Sequence, residues 1–176
     1  AGSPANCPGV IGVAGLRHIG TKVGFSDLGS SIAIAAPGGN CVNLGANDPC
    51  LHPILTTIDS GRQAPGSPAY SDAFNASVGT SFSSPLVAGT AALLFSVKPT
   101  LTPTQVRTAM TSTARPFVAR SAPADPTPTC QAPGNFDQLE CYCTTSTCGA
   151  GMVDANAAIR SVLGAGAALQ PVVSAQ

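Results

Sequence analysis

The sequence predicts an α/β fold with a parallel sheet flanked by helices, on three observations. Val10-Ile11-Gly12-Val13-Ala14 and Ile32-Ala33-Ile34-Ala35 are short, continuous apolar runs bounded by turn formers. That pattern belongs to strands covered on both faces, as in parallel sheets. Apolar spacing then turns helical in the second half of the chain, and strand signals combined with helical ones favour α/β architecture. No internal repeat is evident in the 176 residues, a length that fills one domain with a sizeable core.

Each element follows from local chemistry. The two runs at 10–14 and 32–35 are the expected strands. Residues 39–78 are rich in Gly, Asn, Ser and Pro and carry Cys41 and Cys50, so an ordered loop or short strands are expected there. A small-residue, apolar helix follows over 82–96. Thr102, Pro103 and Gln105 then supply an N-cap, a first-turn proline and the third-position partner of a capping box. Val106, Ala109 and Met110 share one face of that helix, and Arg115-Pro116 stops it. Residues 118–147 form a Pro- and Cys-rich loop. Asp154 is read as the cap of a last helix, which continues from Ala157 through Leu163. The tail 165–176, Ala- and Gly-rich, is expected to be peripheral, leaving 1–164 as the folded domain.

Composition excludes several function classes. Apolar residues make up 44% and charged residues 9%, which rules out charge-driven disorder. Eight basic side chains balance eight acidic ones with no basic run, so nucleic acid is not an expected partner. The longest apolar stretch, around 86–95, is shorter than a membrane span and contains Gly89 and Thr90, so no membrane partner is expected. No signal peptide opens the chain at Ala1. The seven cysteines lack paired C-x-x-C units, and His18 and His52 are far in sequence from the cluster at 130–148. Disulfides in an extracellular protein fit better than zinc, and no metal ligands are assigned. Cys41 with Cys50, and the cysteines at 130–148, are expected to close local loops. An odd count leaves at least one thiol unpaired within the chain.

The stretch Gly79-Thr80-Ser81-Phe82-Ser83-Ser84-Pro85-Leu86-Val87-Ala88-Gly89 carries the chemistry. It sets Ser81 at a glycine-flanked turn that opens a helix, where unpaired N–H groups and the macrodipole favour negative charge. Both would stabilise an oxyanion developing beside the hydroxyl. Capping alone is the competing use of a serine at such a place. An α/β-hydrolase elbow is disfavoured, because Ser83 stands where G-x-S-x-G needs glycine.

This stretch resembles the nucleophile segment of the subtilases, the subtilisin-like serine proteases. Val10–Ala14 is similar to a strand of that family, and Phe25-Ser26-Asp27-Leu28-Gly29 with Ala36-Pro37-Gly38 to its F-S-N-x-G and A-P-G pattern. Asp27 stands where asparagine is common. Gly149-Ala150-Gly151-Met152-Val153-Asp154-Ala155 resembles its G-x-G-x-V-[ND]-A element. The matches cover 5–38, 76–117 and 148–164, about two-thirds of the chain. The resemblance implies the C-terminal portion of a subtilisin-like fold, with Ser81 as nucleophile of a secreted endopeptidase. It also implies Gly79 and Thr80 beside a bound protein or peptide substrate. It requires no cofactor for the chemistry and allows structural calcium, although no EF-hand loop or dense acidic cluster occurs.

Serine needs a base and an orienting acid. The family's D-[ST]-G, H-G-T-H and A-A-G-N segments do not occur here. The chain is therefore expected to begin partway through a catalytic domain, with a preceding N-terminal segment carrying Asp and His as its partner. Cys7 is the natural disulfide partner for a cysteine in that segment. An internal order such as Asp48, His52, Ser81 is formally available, as are Asp27 and His18, but none lies in a segment like the family's. The rivals are a non-catalytic secreted binding module, or inactive fragment, and another serine acyltransferase or esterase.

Overall fold

In the computed structural model the described residues are 2–39, 53–72, 78–120, 122 and 124–164. Two strands, β1 (Gly12–Leu16) and β2 (Ile32–Pro37), pair in parallel with Ala14 opposite Ala35 and Leu16 opposite Pro37. β3 (Thr56–Asp59) and β4 (Pro68–Ser71) form an antiparallel hairpin within the region expected to be loop or short strands. Three helices follow: α1 (Thr80–Val97), α2 (Pro103–Ser112) and α3 (Ala155–Leu163). Among the described residues these make the α/β arrangement anticipated, with α1 packed on β1, β2, α2 and α3. The tail beyond 164 and the pair Cys41 and Cys50 lie outside the described residues.

The sheet divides two cores. Ile34 and Ala36 face the helices, joining Val87, Leu94, Val106, Met110 and Ile159. Ala14, Leu16 and Ala35 face the other way, onto Cys130, Cys141, Cys143 and Cys148. Both faces of β2 are therefore covered, which explains its uninterrupted apolar sequence. Each large side chain so buried contributes about 1.5–3 kcal/mol. Truncating the fully buried Leu94 to alanine would cost about 2–5 kcal/mol.

Residues 150–153 zip along the edge of β2 away from β1. Ala150 N–H donates to Ala33 O at 2.9 Å, and Val153 N–H to Ala35 O at 2.8 Å. Met152 exchanges two 2.8 Å hydrogen bonds with Arg115 on its other side. Only glycine fits between these strands. A Cβ on Gly151 (φ 150°) would lie 2.3 Å from Arg115 O, and one on Gly149 (φ 84°) 2.4 Å from Ala33 C.

The caps form as the sequence predicts. Thr102 and Gln105 make the reciprocal capping box of α2, and Asp154 Oδ1 accepts from Ala157 N–H at 2.9 Å to cap α3. Three readings change. The first strand starts at Gly12 and not Val10, because its pairing with β2 begins there. α1 starts at Thr80 rather than 82, and its 18 residues meet the length and apolar composition of a membrane crossing, contrary to the shorter stretch read from sequence. It packs on the sheet through Val87 and Leu94. That helix is not buried all round, however. Leu86 is 46% and Leu93 49% exposed.

Candidate active site

Ser81 is the second residue of α1, and its side chain is exposed. The cap residue is Gly79, at φ 143° and ψ 160°, with no side-chain cap. Ser81 therefore does not cap the helix; a backbone conformation reserved for glycine launches it. Gly79 N–H donates to Gly38 O at 2.8 Å, and Phe82 N–H to Gly79 O at 3.0 Å. The turn before the serine is thus fastened to the turn that ends β2.

Two close approaches hold this turn. A Cβ on Gly38 would meet Ser83 Oγ at 2.8 Å, Gly79 O at 3.1 Å and Phe25 Cε2 at 3.3 Å. One on Gly15, within β1, would meet Ser83 Oγ and Thr80 Cγ2, both at 3.3 Å. The start of α1 is seated directly on both parallel strands. Ser83 is fully buried at that contact, its Oγ without a hydrogen-bond partner among the described residues. No acidic side chain sits in the first turn of α1, so nothing there offsets the positive end of the dipole. The helix ladder offers no acceptor to the N–H groups of Thr80 and Ser81. An exposed hydroxyl beside such donors is arranged to receive an electrophile that becomes negatively charged.

The histidines are placed differently. His18 is exposed and lines a cleft of about 320 Å³ with Arg115, Asp154 and Met152, a cleft in which Ser81 takes no part. His52 and Asp48 lie outside the described residues. Asp27 accepts a hydrogen bond from Gly2 N–H at 3.2 Å. In the same cleft as His18, Asp154 also receives Arg115 Nε at 3.0 Å. The Ala157 N–H, and after it Arg115, hold the Asp154 carboxyl below the usual carboxylate range.

The sequence model of the subtilase family matches residues 1–158. The chain belongs to the subtilase family. An extracellular protease of Xanthomonas campestris is 36% identical over 161 residues, which are 91% of this chain and 21% of that protein. An extracellular basic protease of Dichelobacter nodosus is 30% identical over 165 residues, 92% of this chain and 21% of its own length. A solved protease from Pseudoalteromonas arctica superposes with a TM-score of 0.65 at 35% identity, covering 89% of this chain and 37% of that one. Fervidolysin from Fervidobacterium pennivorans, described as a keratinolytic enzyme related to subtilisin, gives 0.54 at 27% identity over 89% and 20%. This subtilase chain therefore spans about a fifth of the length of the two extracellular proteases.

The sequence singles out Ser81 but not the residues that seat its turn. Gly38 was visible only as the end of Ala36-Pro37-Gly38, and no sequence signal marks Ser83 or Gly15 as its partners. Among the described residues the disulfides are Cys130–Cys141 and Cys143–Cys148, with Cys7 exposed and free. Among the described residues the one grouping of metal-type side chains is Cys130, Cys143 and Cys148, whose sulfurs are in disulfides. Carbonyl oxygens do converge near the 22–24 turn, but the Lys22 ammonium fills that space, 2.9 Å from Val23 O and 2.7 Å from Gln138 O. Burial pulls the Lys22 pKa below its ordinary value, and the charge of Asp27 opposes that shift.

Proposed function

We propose that this chain is the nucleophile-bearing part of a secreted serine endopeptidase, acting on peptide bonds of proteins through an acyl-enzyme at Ser81. The observation that carries this reading is the exposed Ser81 hydroxyl at the N-terminus of α1, launched by Gly79 and braced on Gly15 and Gly38. Ser81 Oγ attacks the scissile carbonyl while a neighbouring imidazole accepts its proton. The Ser81 N–H donates to the resulting oxyanion. A second donor, an asparagine side chain, comes from outside this chain and is of a kind worth about 2.7–4 kcal/mol. Collapse of the tetrahedral species breaks the C–N bond, and the imidazolium returns the proton to the departing amine. Water then hydrolyses the ester by the reverse sequence. Gly79 and Thr80 flank the bound substrate.

The imidazole, its orienting acid and the asparagine belong to an N-terminal segment that completes the domain. Two features support such a partner. Among the described residues the parallel sheet has two named strands, and the outer edge of β1 is met by the 21–26 turn and not by another parallel strand, with Val23 N–H donating to Gly15 O at 3.2 Å. The side of α1 bearing Leu86 and Leu93 is apolar and exposed, as a helix awaiting cover would be. Two disulfides and the extracellular relatives support secretion. Replacing Ser81 by alanine in the complete protease tests the reading. Peptide hydrolysis is expected to fall by about 10⁶-fold, as for loss of a triad serine. Substantial surviving activity refutes the assignment.

A non-catalytic binding module is the second reading, favoured by the position of His18 in a cleft apart from Ser81. It predicts that the complete protein hydrolyses no peptide and that the alanine variant binds its partner unchanged.

A further inference from the structure

We infer that the cleft between loops 24–28 and 133–139 is a second binding site of the protease, taking a basic and apolar stretch of the polypeptide substrate away from the scissile bond. The inference rests on the peptidase reading of Ser81 for the identity of the occupant. The cleft encloses about 440 Å³ and opens to solvent. Its walls come from chain segments more than a hundred residues apart, the second within the cysteine-rich loop.

The walls are fixed before any ligand arrives. The Lys22 ammonium donates to Val23 O and Gly24 O on one wall, and to Gln138 O and Leu139 O on the other, at 2.7–3.5 Å. Cys141, bonded to Cys130, accepts from Lys22 N–H at 2.9 Å. Gln131 and Gln138 exchange two further hydrogen bonds, Gln131 N–H to Gln138 Oε1 at 2.7 Å and Gln138 Nε2 to Gln131 O at 3.1 Å. A preorganised cleft loses little entropy on binding.

Its chemistry selects the occupant. Phe136 and Leu139 stand 54% and 68% exposed on one wall, with Phe25 on the other. Lys22 is buried against four carbonyls and only 2% exposed, so the charged side chains a ligand meets directly are Asp27 and Asp137. Both are exposed and carboxylates. A mainly polar cleft that carries two carboxylates beside the exposed Phe136 and Leu139 fits a segment alternating apolar and basic side chains. Phe25 also links it to the nucleophile turn, its ring edge lying beside Gly38, whose carbonyl binds Gly79 N–H two residues before Ser81.

The test uses the complete protease and peptides that share one cleavable core. One carries no tail, one a tail of alternating Leu and Arg, and one a tail of alternating Leu and Glu. The basic tail is expected to raise kcat/KM about tenfold through KM, a gain typical of one modest extra contact region, and the acidic tail is expected to give no gain. In a Phe136→Ser, Leu139→Ser double variant the ratio of tailed to untailed peptide should fall to about one, and Asp137→Lys should favour the acidic tail. Equal cleavage of all three peptides, or an unchanged ratio in both variants, overturns the proposal. Fluorescence anisotropy of the labelled basic tail on the Ser81→Ala protease separates the two claims. Saturable binding that these variants weaken supports the cleft even if no hydrolysis is ever seen. No binding overturns the cleft and leaves the catalytic reading standing.

Discussion

The Nζ of Lys22 lies 2.7 Å from the carbonyl oxygen of Gln138, joining residues 116 positions apart. Around this contact, Thr21 Oγ1 donates to Glu140 Oε1 at 2.6 Å, and Arg17 pairs with the other oxygen of the same carboxylate. The cysteine-rich loop is thereby stitched to the turn that leaves β1. Lys22 is 2% exposed, so its carbonyl partners are shielded with it.

Lys22→Met keeps the stem and removes the donor. The carbonyls of Gln138 and Leu139 would lose a charged partner, and such a loss costs about 1–3 kcal/mol. A melting temperature lower by several degrees is the expected outcome, at about 2–4 °C per kcal/mol for a chain of this size. An unchanged melting temperature would show that water replaces the ammonium at no cost.

Asp154 gives a pH dependence with a definite sign. Its carboxyl titrates lower in the fold than in the unfolded chain, where about 3.9 is ordinary. The stabilisation is therefore complete above about 4 and disappears as pH falls through the folded value. The cap carries most of this, because Arg115 is 64% exposed and an exposed pair contributes little. Asp154→Ala should cost about 1 kcal/mol at neutral pH. Asp154→Asn should keep the cap and lose the acid dependence, read from thermal melts between pH 3 and 7 (a span set around the ordinary carboxylate value).

Ser83 separates polarity from volume. Its hydroxyl is buried without a partner among the described residues, so Ser83→Ala should be neutral or stabilising by about 1 kcal/mol. Ser83→Val would push against Gly15 and Gly38, where Oγ is already 2.8–3.3 Å from the places their Cβ atoms would take. Overpacking of this kind costs about 1–3 kcal/mol. It should also reduce peptide hydrolysis, because the same contact seats the first turn of α1. Denaturant melts and kcat measured side by side on both variants check this.

What could be read from the sequence was what a few adjacent residues decide. Thr102 with Gln105, and Asp154 ahead of α3, cap their helices through bonds spanning three residues. The apolar runs of β1 and β2 announce cover on both faces, and the Gly79–Gly89 stretch announces a glycine turn into a helix. What could not be read depends on distant partners. Nothing near Lys22 says that its ammonium will be enclosed by carbonyls of Gln138 and Leu139. Nothing near Ser83 says that Gly15 and Gly38 will meet it. The 56–59 and 68–71 strands were legible only as a region of loop or short strands, since their short segments lack the alternation that marks a half-buried hairpin. The exposed side of α1 is likewise invisible in its composition, which is apolar all round.

The central claim is that the hydroxyl of residue 81 is activated for acyl transfer. The most direct measurement is covalent labelling of the complete protease with a serine-reactive phosphonate, followed by mass mapping of the modified peptide. One phosphonyl group on Ser81, absent in the Ser81→Ala variant, is the result predicted. A proteolytically active preparation that carries the label on another residue, or takes up none, would contradict it.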